Sequence, residues 1–165
     1  MILGINIENV SEGLGPSVDR PGTWNSANQF KNLCTEKMNF KNVGFRRNAK
    51  EMEVRKDFAR LRSMVDDSIG TVFDLRNLIN VQLFIEKTQT KDMVLIFIST
   101  HASGPNYQGC IVLHDEPEFD IQSELKNLRR TMDDISNRSM SSPIPLIVFS
   151  QVEILFNRKT FWNSN

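Results

Sequence analysis

Few residues in this chain are equipped for covalent chemistry: two thiols, Cys34 and Cys110, and two imidazoles, His101 and His114. A thiolate attacks a carbonyl most readily when a neighbouring imidazole has taken its proton. His101 stands just past Met93–Ser99, a continuous apolar run of strand length. Ser150–Val152 stands just past a second such run, Leu146–Phe149. In open α/β sheets, sites form at the carboxyl ends of the strands, so these two segments are expected to meet. The second run continues Ser150-Gln151-Val152-Glu153, with no sulfur in it. Valine has no lone pair to offer. Cys110 lies nine residues beyond His101 at the start of a short apolar stretch, which disfavours in-line attack with His101 as base. Cys34 shares an apolar helical face and reads as core. His114, between Leu113 and Asp115, reads as a solvated loop residue. No Cys/His spacing matches a zinc motif, and no phosphate loop or serine elbow is present, so neither metal nor cofactor is expected.

The elements that would position these residues alternate between strand and helix. Ile2–Val10 reads as a first strand, and Ser11–Gly22 as a loop of turn formers. Ala27, Phe30, Leu33 and Cys34 mark a helix capped at Thr23 or Asn25. Phe40–Arg46 reads as a short strand. Asn48 is a candidate cap for a helix carrying Met52, Val54, Phe58, Leu61 and Met64–Val65. Leu75, Leu78, Ile79, Leu83 and Phe84 fit a further helical stripe within 66–91. Beyond it come the Met93–Ser99 strand, a brief strand at Cys110–Leu113, and a polar helix over Ile121–Met132 with Leu125 and Leu128 inward. Leu146–Phe149 reads as a second strand buried on both faces. The pattern predicts an α/β fold: a mainly parallel sheet between helices on both faces, a three-layer α-β-α sandwich.

Composition sets the limits. The 165 residues suit one domain, 1–165, and Lys+Arg equals Asp+Glu at 20 each, so charge draws the chain to neither nucleic acid nor an anionic membrane. No run approaches the ~20 apolar residues of a membrane span. Two cysteines make no disulfide framework, and a reducing, cytoplasmic location is expected.

Several segments in order resemble the large subunit of the caspase family. Arg20-Pro21-Gly22-Thr23 is similar to that family's R-x-G-T turn, with Ala27 and Phe30 following in the next helix. Met38-Asn39-Phe40, Asn48 and Met52 resemble its L-G-F strand, cap and helix start. Ile98-Ser99-Thr100-His101 resembles the strand entering its S-H-G turn. Pro145–Gln151 resembles the strand before its Q-A-C-x-G segment, which lies about 50 residues beyond the catalytic histidine. The resemblance implies that Arg20 would grip a substrate aspartate, His101 would be the general base, and Ala102 would replace the glycine whose N–H lines the oxyanion hole. It also implies that Ser150 would line the aspartate pocket and Val152 would hold the place of the missing cysteine. A one-residue slip would put Glu153 there instead.

Roughly 20 residues more than the family pattern lie between Asn48 and His101, an insertion expected around 66–91 and tolerable on a surface. The small-subunit strands that complete the family's sheet are expected to be missing.

The expectation that follows is a catalytically inactive caspase homologue. It would regulate an active caspase, bind it or its small subunit, and form a heterodimer or homodimer. The alternative is an aspartate-specific cysteine endopeptidase fragment that needs a separate small subunit and uses Cys110 or Cys34. An aspartyl electrophile that modifies active-site thiols separates the two. No stoichiometric labelling is expected; labelling of Cys110 that His101→Ala abolishes would reverse the order.

Overall fold

The computed structural model describes residues 1–10, 20–76, 93–103, 109–139 and 143–154, with side chains there except at 66–76, 103, 139 and 152–154. The elements are β1 (Ile2–Asn6), α1 (Thr23–Asn32) running into a π-helical turn (Leu33–Lys37), β2 (Asn42–Arg47), α2 (Glu51–Arg76) and β3 (Val94–Ser103). Then follow β4 (Cys110–Ile111), β5 (Phe119–Asp120), α3 (Ile121–Ser139) and β6 (Leu146–Ile154). β1, β2, β3 and β6 are parallel, in the order β2-β1-β3-β6. Two short antiparallel strands, β4 and β5, continue from the far end of β3. The protein is therefore a mixed α/β fold on an open, mostly parallel sheet.

Strand alternation splits the core in two. Leu3, Ile5, Ile7, Val94, Ile96 and Ile98 face Val54, Phe58, Leu61 and Val65 of α2 and Leu128, Met132 and Ile135 of α3. Phe58, Leu61 and Leu128 are wholly buried, each contributing about 1.5–3 kcal/mol over an exposed counterpart. On the opposite face, Ile2 and Leu95 pack with Cys34, Phe30, Phe40 and Phe45. A row of rings crosses this face: Trp24 to Phe45 at 6.2 Å, Phe45 to Phe97 at 5.7 Å, Phe97 to Phe30 at 5.0 Å, and Phe30 to Phe149 at 5.5 Å. Gly4 admits that row, since a Cβ there would collide with the Phe45 ring.

Several expectations need correction. β1 ends at Asn6 rather than Val10. α1 begins after Gly22, which holds a left-handed φ of 83°, so Thr23 is the first helical residue and not the cap. Leu33 is half exposed and does not continue the buried stripe. Asn48 does not cap α2. It sits at φ 49°, and its Oδ1 accepts from the N–H groups of Glu8 and Asn9. The first turn of α2 is satisfied from afar by Asp115, whose Oδ1 accepts from Glu51 N at 2.9 Å. Met52 is 67% exposed.

The expected insertion at 66–91 begins as further helix, because α2 runs on to Arg76; residues 77–92, with Leu78, Ile79, Leu83 and Phe84, lie outside the described residues. The largest correction concerns β6. It was expected to be buried on both faces, yet Ile147, Val148 and Phe149 are 38%, 39% and 48% exposed. β6 pairs with β3 along one side, and among the described residues no strand covers the other.

α3 is held at its start by Asp120. Its Oδ1 accepts from Ser123 N at 2.9 Å and its Oδ2 accepts from Ser123 Oγ, an N-cap arrangement. The hydroxyl bond first, then the backbone bond, holds the Asp120 carboxyl below its ordinary value. A depressed folded pKa means stabilisation that is complete above the ordinary carboxylate range and is lost as pH falls through the folded value. Asp120→Ala is therefore expected to lower stability at pH 7 and to leave a shallower loss between pH 5 and pH 2. Urea midpoints of both proteins across that range test this; parallel acid limbs contradict it.

Candidate functional site

The connection after β1 leads to β2 on one side, while β3 lies on the other. The strand order therefore reverses between β1 and β3, where open α/β sheets form their crevice. β3 overruns β1: Ile7 N still donates to Ser99 O at 2.9 Å, but Thr100, His101 and Ala102 extend past the end of β1. β6 accompanies β3 to Ala102.

Arg20 fills this crevice. Its backbone N donates to Glu8 O at 2.7 Å, anchoring it beside the end of β1. The guanidinium Nη1 donates to Ser99 Oγ at 3.2 Å, Thr100 O at 3.2 Å and Gln151 O at 3.4 Å. One cation thus ties the carboxyl ends of β3 and β6 to the segment before α1, and it is 6% exposed. Arg20 was expected to grip substrate carboxylates; its Nη1 is bonded to internal neutral oxygens.

A second buried charge stands next to it. Glu8 Oε1 accepts from Gly22 N at 2.6 Å, and Glu8 Oε2 accepts from Arg47 Nε and Nη2 at 2.7 and 2.6 Å. Charge-assisted bonds of this kind are the strong ones. Asn6 Nδ2 donates to Thr23 Oγ1, which donates in turn to Arg20 O, so the start of α1 is laced to β1. Sequence reading missed Glu8, Asn6 and Ser99. Their signal was polarity at the ends of otherwise apolar strands.

His101 lies inside β3, near its end, and is 3% exposed. Alternation puts it on the same sheet face as Ser99 and the Arg20 guanidinium. Ala102 stands between Ile111 of β4 and Ile154 of β6, with the strand's N–H groups in the plane of the sheet. Only Asn39 and Asn48 among the described non-glycine residues have positive φ, so Ala102 carries no left-handed strain.

Ser150 does not join Arg20. It is exposed and in register with Ile98, on the face opposite to Ser99 Oγ. Val152 is in register with Thr100, and Glu153 with His101; the side chains at 152 and 153 lie outside the described residues. The slip that sequence alone left open is thus decided by the ladder in favour of 153 as the position beside His101.

Cys110 opens β4 opposite Ser103 and Asp120. Partial burial pushes its thiol up, and the charges of Asp120 and Glu118 add to the effect. A raised thiol holds less nucleophilic thiolate at neutral pH, which counts against a displaced nucleophile. Cys34 is buried at 1% and also raised by burial. His114 is tied down, its Nδ1 2.9 Å from Asn9 O and its backbone N donating to Ala49 O. Among the described residues, no group of three His, Cys, Asp or Glu could hold a metal ion, and no helix is long and apolar enough to cross a membrane.

The fold and this crevice define a class: a mixed α/β protein with an open, mostly parallel sheet and a polar crevice at its strand reversal. No family model, curated protein or solved structure matches the chain.

Removing the Arg20 guanidinium takes away three charge-assisted hydrogen bonds. Arg20→Ala is expected to cost about 2–3 kcal/mol, the range for hydrogen bonds to a charged group. Arg20→Lys should recover less than half of that, because one ammonium cannot reproduce the planar fork. Urea unfolding measures both, and an unshifted midpoint in Arg20→Ala would show the bridge to be energetically idle.

Proposed function

We propose that this chain is a non-catalytic caspase-like protein that regulates an active caspase, and through it apoptosis, by protein–protein contact in the cytoplasm. One observation carries the reading: β6, the strand that resembles the family's nucleophile strand, reaches the histidine without a thiol and keeps an exposed apolar flank. The order of segments from Arg20 to Gln151, helices on both faces of a parallel sheet, and His101 at the carboxyl end of a central strand support it. So does the raised Cys110 thiol, which weakens the competing reading of an endopeptidase fragment.

The contact surface in this reading is the flank of β6. Among the described residues β6 is paired along one side, with Ile147 and Phe149 exposed on one sheet face and Val148 on the other, and exposed strand edges recruit further strands. The partner is an active caspase or its small subunit, whose strands would extend the sheet beyond β6. No nucleic acid and no membrane enters the reading.

The test is capture of an active caspase by the purified full chain, read by immunoblot and by cleavage of an aspartyl reporter peptide. Capture is expected, falling at least tenfold with Val148→Lys/Phe149→Lys. Undiminished capture by that variant would remove the β6 flank from the mechanism. Absence of any caspase partner would overturn the regulatory reading.

A further inference from the structure

Among the described residues, the parallel run β2-β1-β3-β6 ends in two strands of opposite build. β2 carries charge. Its Arg46 holds Asp57 of α2 through Nε at 2.7 Å and Nη2 at 2.9 Å, its Arg47 holds Glu8, and Arg60 of α2 donates to Val43 O at 3.2 Å. Charge of this kind keeps a strand edge from recruiting another strand. β6 has none of it. From Ser139 to Val152 the sequence carries no charged residue, and Ile147, Val148 and Phe149 are exposed. Val94 N donates to Pro145 O at 2.9 Å, so Pro145 turns its backbone toward β3, and alternation turns Ile147, Phe149 and Gln151 the same way. Leu146, Val148 and Ser150 turn their N–H and C=O groups to the other side. Among the described residues, no strand pairs with that side and no backbone group bonds to it. Proline blunts strand edges, but the missing donor of Pro145 falls on the β3 side and leaves the outward row unbroken.

We propose that this edge pairs with the same edge of a second copy, antiparallel, about a two-fold axis through Val148. A second copy fits because the row is its own complement. With Val148 on the axis, the two copies of Val148 exchange both backbone bonds, and Leu146 does the same with Ser150 of the second copy on either side. Residues directly opposite share a sheet face, so Ile147 meets Phe149 of the second copy on the α1 side, where Phe149 already touches Phe30. A β-branched residue against an aromatic one is a stabilising cross-strand pair. Moving the axis to Ile147 would set Phe149 against Pro145, and moving it to Phe149 would set Ile147 against Gln151. The Val148 axis brings the exposed apolar residues together, and no charge in the row opposes another.

A chain paired with itself withholds β6 from any other strand. Resting on the regulatory reading, this makes the dimer a stored form, and dissociation sets how much chain can capture a caspase. Self-pairing itself needs no caspase, so its failure leaves capture untouched and failed capture leaves the dimer untouched. A contact made along one strand edge belongs to the small end of interface sizes, and the dimer is expected to dissociate in the micromolar range.

Sedimentation velocity of the purified full chain across that range tests it, and a reversible monomer–dimer equilibrium is expected. Val148→Lys and Val148→Glu each set like charges directly opposite across the axis, and each alone should weaken the dimer at least about tenfold. An equimolar mixture of the two should restore it, because only a residue on the axis faces itself. Ser150→Lys mixed with Ser150→Glu should give no such rescue, since Ser150 faces Leu146. Amide exchange in the unsubstituted chain adds a reading that no substitution disturbs: Leu146, Val148 and Ser150 should slow with rising concentration, and Ile147 and Phe149, already bonded to β3, should not. A chain monomeric throughout, assemblies larger than a dimer, a mixture no stronger than its components, or amides of Leu146, Val148 and Ser150 indifferent to concentration overturns the proposal.

Discussion

Everything in this molecule is referred to β3. It is hydrogen-bonded to β1 through Leu95–Ser99, to β4 at Ala102 and Ser103, and to β6 along Val94–Ala102. A strand held on both sides has no freedom to slip, because a slip of one residue would carry Val94, Ile96 and Ile98 out of the α2–α3 core. The same constraint fixes which residues can meet at its carboxyl end. Ser99 and His101 are committed to the face covered by α1, and Thr100 and Ala102 to the other. The chemistry of the crevice is set by this alternation before any side-chain contact is considered.

Arg20 then shows how a crevice at a strand reversal can be occupied from within. A guanidinium placed among Ser99 Oγ, Thr100 O and Gln151 O adds a donor to two carbonyls and a hydroxyl near the carboxyl ends of adjacent strands. Beside it, the buried Glu8 carboxylate joins the Gly22 N–H to the half-exposed Arg47. Removing Arg47 would leave the Glu8 carboxylate uncompensated in a poorly hydrated place. The segment from Glu8 to Thr23 is thereby made part of the sheet's end.

Much of the architecture was legible because apolar periodicity is a strong signal. Met93–Ser99 and the Val54–Phe58–Leu61–Val65 stripe announce a buried strand and a core-facing helix, and both are found. Other features depend on contacts that composition does not encode. Asn48 carries the residue type of a helix cap, but its side chain serves the Glu8 and Asn9 amides across 39 to 40 residues of sequence. Leu146–Phe149 has the composition of a central strand, yet its exposure depends on what lies beyond it in the sheet. The residue opposite His101 was illegible for a simpler reason: a one-residue ambiguity in strand pairing changes the face, and only the ladder removes it.

The strand order also dictates when the sheet can close. β1 is flanked by β2 and by β3, and about ninety residues separate Ile2 from its register partner Leu95, a long-range pairing that slows folding. β3 must in turn wait for β6, roughly fifty residues later, before its second side is covered. Until then a nascent chain exposes the most apolar ribbon in the sequence to the crowded milieu of the ribosome exit. Helix α2 is built from local contacts, and in the folded core its Phe58 and Leu61 pack with Leu3 and Ile5 of β1.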